Sequence, residues 1–505
     1  MESLRTKPRI LIVTPEVTYL PDGMGNATNY LKAKAGGLAD VSAALISALF
    51  EQGADVHVAM PDYRRMFIHG SPELYPGREL ESIRAKMPDD RVHLAEDRAF
   101  FYVDHVYANY SRDNLKIALA FQREVINNIV PRVRPDLIHC NDWMTGLVPA
   151  MTRMAGIPCL FTLHNIHTVT STLAEIEDRG IDAAYFWQHL YYRQYTDEYE
   201  AAREAVPVDF VTSGVFAAHF VNTVSPTFLK EIVDGRHGFV DGHLQRELRN
   251  KYWAGCAAGI LNAPDPSFRP DSDTTLPRSY GPKGALAAKR ENKRHLQQAL
   301  GLIVDDKAPL FFWPHRLDPI QKGCQLLSDI LYRVVSTFWA ERLQVVFVAN
   351  GAYQQVFRDI VAHHHFQQRV AVCDFNGTLE RQAYAAADFM LMPSRFEPCG
   401  LPQMIAPIYG ALPVAHDTGG IHDTITHLNV DANTGNGFLF EVFDSQGLFW
   451  AIEQAMAFHR LPGKVRAAQI SRIMLQSQET FTHTVTARRY IELYEKMLER
   501  PLIVE

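Results

Sequence analysis

The sequence predicts an α/β fold built from two doubly wound domains, each a parallel sheet with helices on both faces. Three observations carry this. Short apolar runs of strand length alternate with amphipathic helical stripes along almost all of the 505 residues, the pattern of parallel sheets with crossover helices. The chain is too long for one ordinary core and suits two large domains. A stretch rich in Pro, Asp and Ser, residues 262–283 (NAPDPSFRPDSDTTLPRSYGPK), separates the runs into two sets and reads as a linker. Ligands of such sheets bind beyond the carboxyl ends of the strands, so the two domains are expected to face a central cleft.

In the first half the strand-like runs are Ile10–Thr14, Val56–Met60, Leu137–His139, Cys159–Leu163 and Phe220–Val224. In the second they are Leu310–Trp313, Gln344–Ala349, Phe389–Met392, Leu412–Ala415 and Gly437–Phe440. The predicted layout is a domain over 1–261, the linker over 262–283, a second domain over 284–484 and a terminal segment over 485–505 carrying the amphipathic helix Val485–Leu498.

Residues Ser394–Gly420 (SRFEPCGLPQMIAPIYGALPVAHDTGG) concentrate the most chemistry. Leu401, Met404, Ile405 and Ile408 recur at helical spacing, so a helix follows Gly400. Glu397 stands just ahead of it, where free N–H groups favour an anion such as phosphate, while a carboxylate suits hydroxyls. Sugar plus phosphate is the chemistry this segment suggests.

The first strand leads to Lys34-Ala35-Gly36-Gly37-Leu38-Ala39-Asp40. The stripe Leu38, Val41, Leu45, Ala48 and Leu49 predicts a helix there. Gly36 and Gly37 thus occupy a strand-to-helix crossover, where glycine lets a ligand approach the backbone. Neither phosphate-loop glycine signature is present, and a lone Gly-Gly equally suits a plain tight turn.

Composition excludes several classes. A net charge of −7 argues against a nucleic-acid surface, and no apolar run reaches the length of a membrane span. The N-terminus has no secretory layout. The six cysteines are scattered with no C-x-x-C pair, against structural zinc or a disulfide framework and in favour of a reducing cytoplasm. His363–His365 reads as an exposed helix end rather than a ligand cluster.

Further pieces fall in order: Asp142-Trp143 past a strand, His164 past the next, and Trp313–Gly323 (WPHRLDPIQKG) carrying Arg316 and Lys322. Glu397-Pro-Cys399-Gly400-Leu401 and Thr418-Gly419-Gly420 follow. Together these resemble the bacterial glycogen synthases and plant starch synthases, over roughly residues 8–498. The resemblance implies the GT-B architecture of two Rossmann-like domains. It also implies transfer of glucose from ADP-glucose to the non-reducing end of an α-1,4-glucan with retention, without metal or cofactor. The terminal helix is then expected to pack back on the first domain.

By match to the family motifs, His164, Arg316, Lys322 and Glu397 are the catalytic set. Arg316 and Lys322 would neutralise the departing diphosphate, Glu397 would bind sugar hydroxyls and His164 would sit beside the reacting glucose. Gly36 and Gly37 would approach the diphosphate and sugar, with Lys34 adjacent. Asp142 would lie near donor and acceptor, Cys399, Gly400 and Leu401 would line the donor site, and Tyr409 would stack on the nucleobase. Thr418, Gly419 and Gly420 would line the phosphate end.

Each has a plainer reading alone: His164 a hydrogen-bonded structural histidine, Asp142 a helix cap, Arg316 and Lys322 a solvated loop pair. Glu397 alone could serve a helix dipole and Tyr409 alone could be packing. The chain departs from the family pattern in an insertion over 18–33, and at Met144, Ile166–Val169, Ala263-Pro264, Pro402, Ala349–Ala352 and His483. Two alternatives stay open, a related transferase with another donor or a small acceptor, and a catalytically idle glucan-binding paralogue. The retained Lys34, Arg316, Lys322 and Glu397 argue against the second. A NAD-dependent dehydrogenase is disfavoured, since no dinucleotide glycine fingerprint follows the first strand.

Overall fold

The computed structural model describes residues 7–21, 23–24, 31–69, 91–108, 111–194 and 196–503. It divides into two compact units, Met1–Leu261 with His483–Glu505, and Asn262–Thr482.

In the first unit the strands are β1 (Arg9–Val13), β2 (Asp55–Pro61), β3 (Val92–Ala95), β4 (Leu137–Asn141), β5 (Cys159–Leu163), β6 (Thr170–Ser171), β7 (Val208–Asp209), β8 (Phe220–Thr223) and β9 (Ala257–Gly259). Seven form one sheet in the order β3-β2-β1-β4-β5-β8-β9, and every neighbouring pair is parallel. β6 and β7 make a separate antiparallel ladder. Strands covered on both faces carry unbroken apolar runs, as in Ile10–Val13, which is fully buried. The chain winds outward from β1 to β3, then restarts at β4 and winds the other way. The switch point therefore lies between β1 and β4.

The terminal helix, His483–Leu498, belongs to this unit. Tyr494 and Thr162 bracket the buried His139 of β4, at 2.7 Å from Nδ1 and 2.6 Å from Nε2. Asn222 of β8 donates to the Tyr490 hydroxyl at 3.2 Å. Burial pushes the His139 imidazole down to about 3, so it stays neutral.

The second unit holds β10 (Leu310–Trp313), β11 (Gln344–Val348), β12 (Val370–Cys373), β13 (Phe389–Met392), β14 (Leu412–His416) and β15 (Phe438–Phe440). They form a parallel sheet in the order β12-β11-β10-β13-β14-β15. Its switch point lies between β10 and β13. The helix Gln354–His363 ends among exposed residues, as expected of the histidine run.

The 262–283 segment, expected as a linker, is part of this second unit. Asp273 accepts the Tyr409 hydroxyl at 2.7 Å and an Arg381 N–H at 3.3 Å, and the Tyr280 hydroxyl donates to the Tyr409 carbonyl at 2.8 Å. Its Pro and Asp content builds turns anchored by buried polar contacts, not a free connector.

Candidate active site

The candidate residues fall into two groups, one in each unit. In the first unit they follow β1, β4 and β5, at the carboxyl ends around the switch point. Glu16, three residues past β1, is 1% exposed. It accepts the N–H groups of Ala35 at 2.5 Å and Gly36 at 3.1 Å, and the Tyr107 hydroxyl at 3.1 Å. This carboxylate fixes the backbone just before the helix Gly37–Glu51. Gly36 is extended, at φ −151°, a conformation open to any residue. A Cβ added to Gly36 or Gly37 would meet no atom of the described residues within 4 Å. Lys34 is exposed and pairs with Asp40 at 2.7 Å.

Asp142 follows β4 at φ +56° and is 3% exposed. Its Oδ1 accepts the His164 N–H at 2.7 Å and its Oδ2 accepts an N–H of the Asn165 side chain at 3.2 Å. It bears no side-chain bond to the short helix that follows, so it is not the cap of that helix. Burial raises its carboxyl to about 7, against the two hydrogen bonds that lower it. His164 follows β5 and is half-buried; desolvation pushes it down to about 4. Its Nε2 lies 2.9 Å from Asn141 Oδ1. Asn141 spends its own N–H on the Val13 carbonyl, so His164 Nε2 is the protonated nitrogen and Nδ1 the acceptor.

In the second unit the loop from β10 is tightly built. Asp318 accepts the N–H groups of Ile320 and Gln321, both at 2.8 Å. Its carbonyl accepts the Lys322 N–H at 3.2 Å. Arg316 is exposed and in no ion pair of the described residues. Lys322 is buried, and its Nζ donates to Glu397 Oε2 at 2.6 Å, which also accepts the Ser394 hydroxyl at 3.1 Å. The cation and carboxylate expected to touch different parts of a substrate thus hold each other. Gly323 permits this bend, at φ +67° with the Pro393 carbonyl 1.9 Å from where a Cβ would stand.

Past Glu397 the backbone folds on itself. The Gly420 N–H donates to the Glu397 carbonyl at 2.9 Å, and Gln403 donates to the carbonyls of Cys399 at 2.7 Å and Gly400 at 3.1 Å. Cys399 is buried and its thiol is pushed up to about 12 by desolvation, so its side chain is inert. Leu401 packs half-buried against the core. Thr418 is buried, and Gly419 opens the helix Gly419–Thr424 at φ +46°.

Residues 9–247 match the family model "Starch synthase catalytic domain", and residues 308–457 match "Glycosyl transferases group 1". Along 97% of its length the chain is 33% identical to the glycogen synthase of Moorella thermoacetica, 97% of which is covered. It is 31% identical to that of Bacillus subtilis, over 84% of this chain and 88% of the relative. The chain belongs to the glycogen synthase family. Among solved structures it resembles the catalytic domain of starch synthase IV from Arabidopsis thaliana, with a TM-score of 0.76 at 24% identity, covering 98% of this chain and 100% of that one. That likeness shows the GT-B fold. As a family member the chain is a glucosyltransferase of the glycogen- and starch-building type.

Two points change what was expected of this glycogen synthase family member. Tyr409 cannot stack on a nucleobase: it is 0% exposed, in the core of the second unit, with its hydroxyl spent on Asp273. It packs in that core with Ile405 and Ile408 and anchors the 262–283 segment through Asp273 and Tyr280. Glu16 is a site residue that sequence reasoning missed. The only available signal was a carboxylate directly after the first strand, since its partners lie 19 to 91 residues away. Among the described residues no group of three or more His, Cys, Asp or Glu could hold a metal ion, and no helix is long and apolar enough to cross a membrane.

Proposed function

We propose that the chain transfers glucose from ADP-glucose to the non-reducing end of an α-1,4-glucan with retention, in the cytoplasm and without metal or cofactor. The observation that supports this most is the open Gly36–Gly37 turn. It is held by buried Glu16, yet no atom of the described residues fills the space a side chain would take. Such a turn suits backbone contact with a diphosphate and sugar.

The bond from the anomeric carbon to the diphosphate breaks, and its electron pair stays on the phosphate oxygen. Arg316, exposed and uncommitted, meets that charge, and its planar fork can grip two oxygens. Such preorganised charge is worth about 3–4 kcal/mol of barrier. Lys322 and Glu397 act as a coupled pair, the lysine toward phosphate and the carboxylate toward sugar hydroxyls, each keeping the other's buried charge compensated. Neutral His164 offers Nδ1 to a glucose hydroxyl proton. The acceptor hydroxyl attacks from the same face and gives its proton to the leaving phosphate.

The test is transfer of labelled glucose from ADP-glucose and, in parallel, UDP-glucose to glycogen in the presence of a chelator. Chain growth from ADP-glucose that survives chelation supports the reading. Preference for UDP-glucose, or dependence on metal, contradicts it, and glycogen binding without transfer would mark an idle paralogue.

A further inference from the structure

Arg316 is exposed, with no ion pair or side-chain hydrogen bond among the described residues. Its direction is therefore set by the backbone that carries it. In the sheet, β10 lies between β11 and β13, and the two residues flanking Arg316 are tied to these two neighbours. Leu317 is buried and held on the β11 side. Its N–H donates to the Asn350 carbonyl at 2.9 Å and its carbonyl accepts the Tyr353 N–H at 3.2 Å, both in the loop after β11.

His315 is tied to the β13 side. It is buried, and its Nε2 lies 3.1 Å from the Leu391 carbonyl of β13. A carbonyl oxygen only accepts, so Nε2 carries the proton and Nδ1 is a lone pair. Trp313, the last residue of β10, fastens the same residue from behind. Its Nε1–H donates to the His315 carbonyl at 2.8 Å, and the two ring centroids are 4.5 Å apart. Trp313 is itself packed against Phe347 of β11 and against Phe357, at 5.8 Å and 6.2 Å between centroids.

His315 does not act as a charge. Burial, with Lys322 nearby, pushes its imidazole down to about 3, so it stays neutral. A neutral ring holds the loop without adding a third cation beside Arg316 and Lys322. Its Nδ1 is buried with no hydrogen-bond partner, which costs free energy. An apolar ring of similar size would avoid that cost, but would leave the Leu391 carbonyl without this donor. The Nε2–H bond is thus what a histidine supplies here and a plain packing residue does not.

We infer that His315 is a positioning residue for glucose transfer, latching the loop to β13 through Nε2–H so that Arg316 is aimed at the diphosphate of the donor. The inference rests on the role proposed above for Arg316 and goes beyond it, since His315 is buried and acts only through its neighbour. A guanidinium displaced by about 1 Å is enough to cost a large factor in rate.

The experiment is transfer of labelled glucose from ADP-glucose to glycogen, with kcat, KM and melting temperature measured for each protein. His315→Phe keeps a ring against Trp313 but has no N–H for Leu391. Its kcat should fall about tenfold or more, with the KM for glycogen unchanged. His315→Gln, whose amide N–H takes the place of Nε2–H, should recover most of that loss. In an Arg316→Ala background, His315→Phe should cost less than about twofold, because the residue it aims is gone. The pH profile of kcat should keep its wild-type shape in the His315 variants, since this imidazole moves no proton. His315→Ala, read in the same cycle, serves if the larger ring does not fold. Wild-type kcat without the His315 N–H, an equal loss in both Arg316 backgrounds, no recovery in His315→Gln, or a shifted pH profile would each overturn the inference. An Arg316→Ala protein at wild-type rate would sink the diphosphate grip and the latch with it. A crippled Arg316→Ala beside an unaffected His315→Phe would sink the latch alone.

Discussion

Two glycine pairs stand at strand-to-helix turns, Gly36–Gly37 after β1 and Gly419–Gly420 after β14, and they are glycine for opposite reasons. At the second, the protein itself demands it. Gly419 sits at φ +46°, and a Cβ on Gly420 would stand 2.1 Å from the Cys399 carbonyl. At the first, φ is ordinary and the space is empty among the described residues. At Gly36–Gly37 neither backbone conformation nor packing among the described residues requires glycine, which leaves the turn open to a ligand. The same contrast separates Lys322, locked to Glu397, from Arg316, which is exposed and in no ion pair among the described residues.

The comparison can be broken from its locked side first. Gly420→Ala should lose several kcal/mol of stability, in the range of about 1–3 kcal/mol for overpacking or more, since the clash is with backbone that cannot turn aside. A melting temperature close to wild type would show that the turn has slack. Arg316→Ala should lose about a hundredfold or more in transfer rate with an unchanged melting temperature. An equal rate would remove Arg316 from the mechanism.

Lys322→Ala should cost both, because it strands the buried Glu397 carboxylate, at about 3–5 kcal/mol of stability. If Lys322→Ala and Glu397→Gln together were much more stable than Lys322→Ala alone, the pairing would be confirmed by a double-mutant cycle.

A smaller effect concerns Asp142. Its carboxyl is raised to about 7 from the ordinary 3.8, so the folded state holds the proton more tightly than the unfolded chain. The stability this contributes is fully present below pH 3.8 and is lost as pH rises through about 7. Asp142→Asn, which cannot ionise, should therefore show a shallower fall in melting temperature between pH 5 and 8 than wild type. Parallel curves would mean the carboxylate is solvated.

Much of the fold was legible because its signal is local. All ten strands expected from apolar runs are present. The three missed strands of the two large sheets, β3, β9 and β12, are all edge strands. β9 is Ala257-Ala258-Gly259, partly exposed and without a branched side chain, so nothing in it reads as a strand. β15 is also an edge but was visible through Phe438 and Phe440.

For the candidate site, what was legible is placement: Gly36, Asp142, His164, Arg316 and Glu397 all stand beyond strand carboxyl ends, as their motifs led one to expect. Legibility failed where a partner lies far along the chain. Tyr409 was expected at a base because its Asp273 partner, 136 residues away, cannot be seen from its neighbours. Glu16 was missed for the same reason.

The measurement that bears most directly on the open turn is Gly36→Ala, with melting temperature and glucose transfer from ADP-glucose taken on one preparation. An added methyl meets no atom of the described residues within 4 Å, so melting should stay within the scatter of surface substitutions, about ±0.5 kcal/mol. Transfer should fall at least about tenfold, with the loss in kcat/KM for the donor. Wild-type transfer in a normally folded Gly36→Ala protein would contradict the assignment of this turn to the substrate.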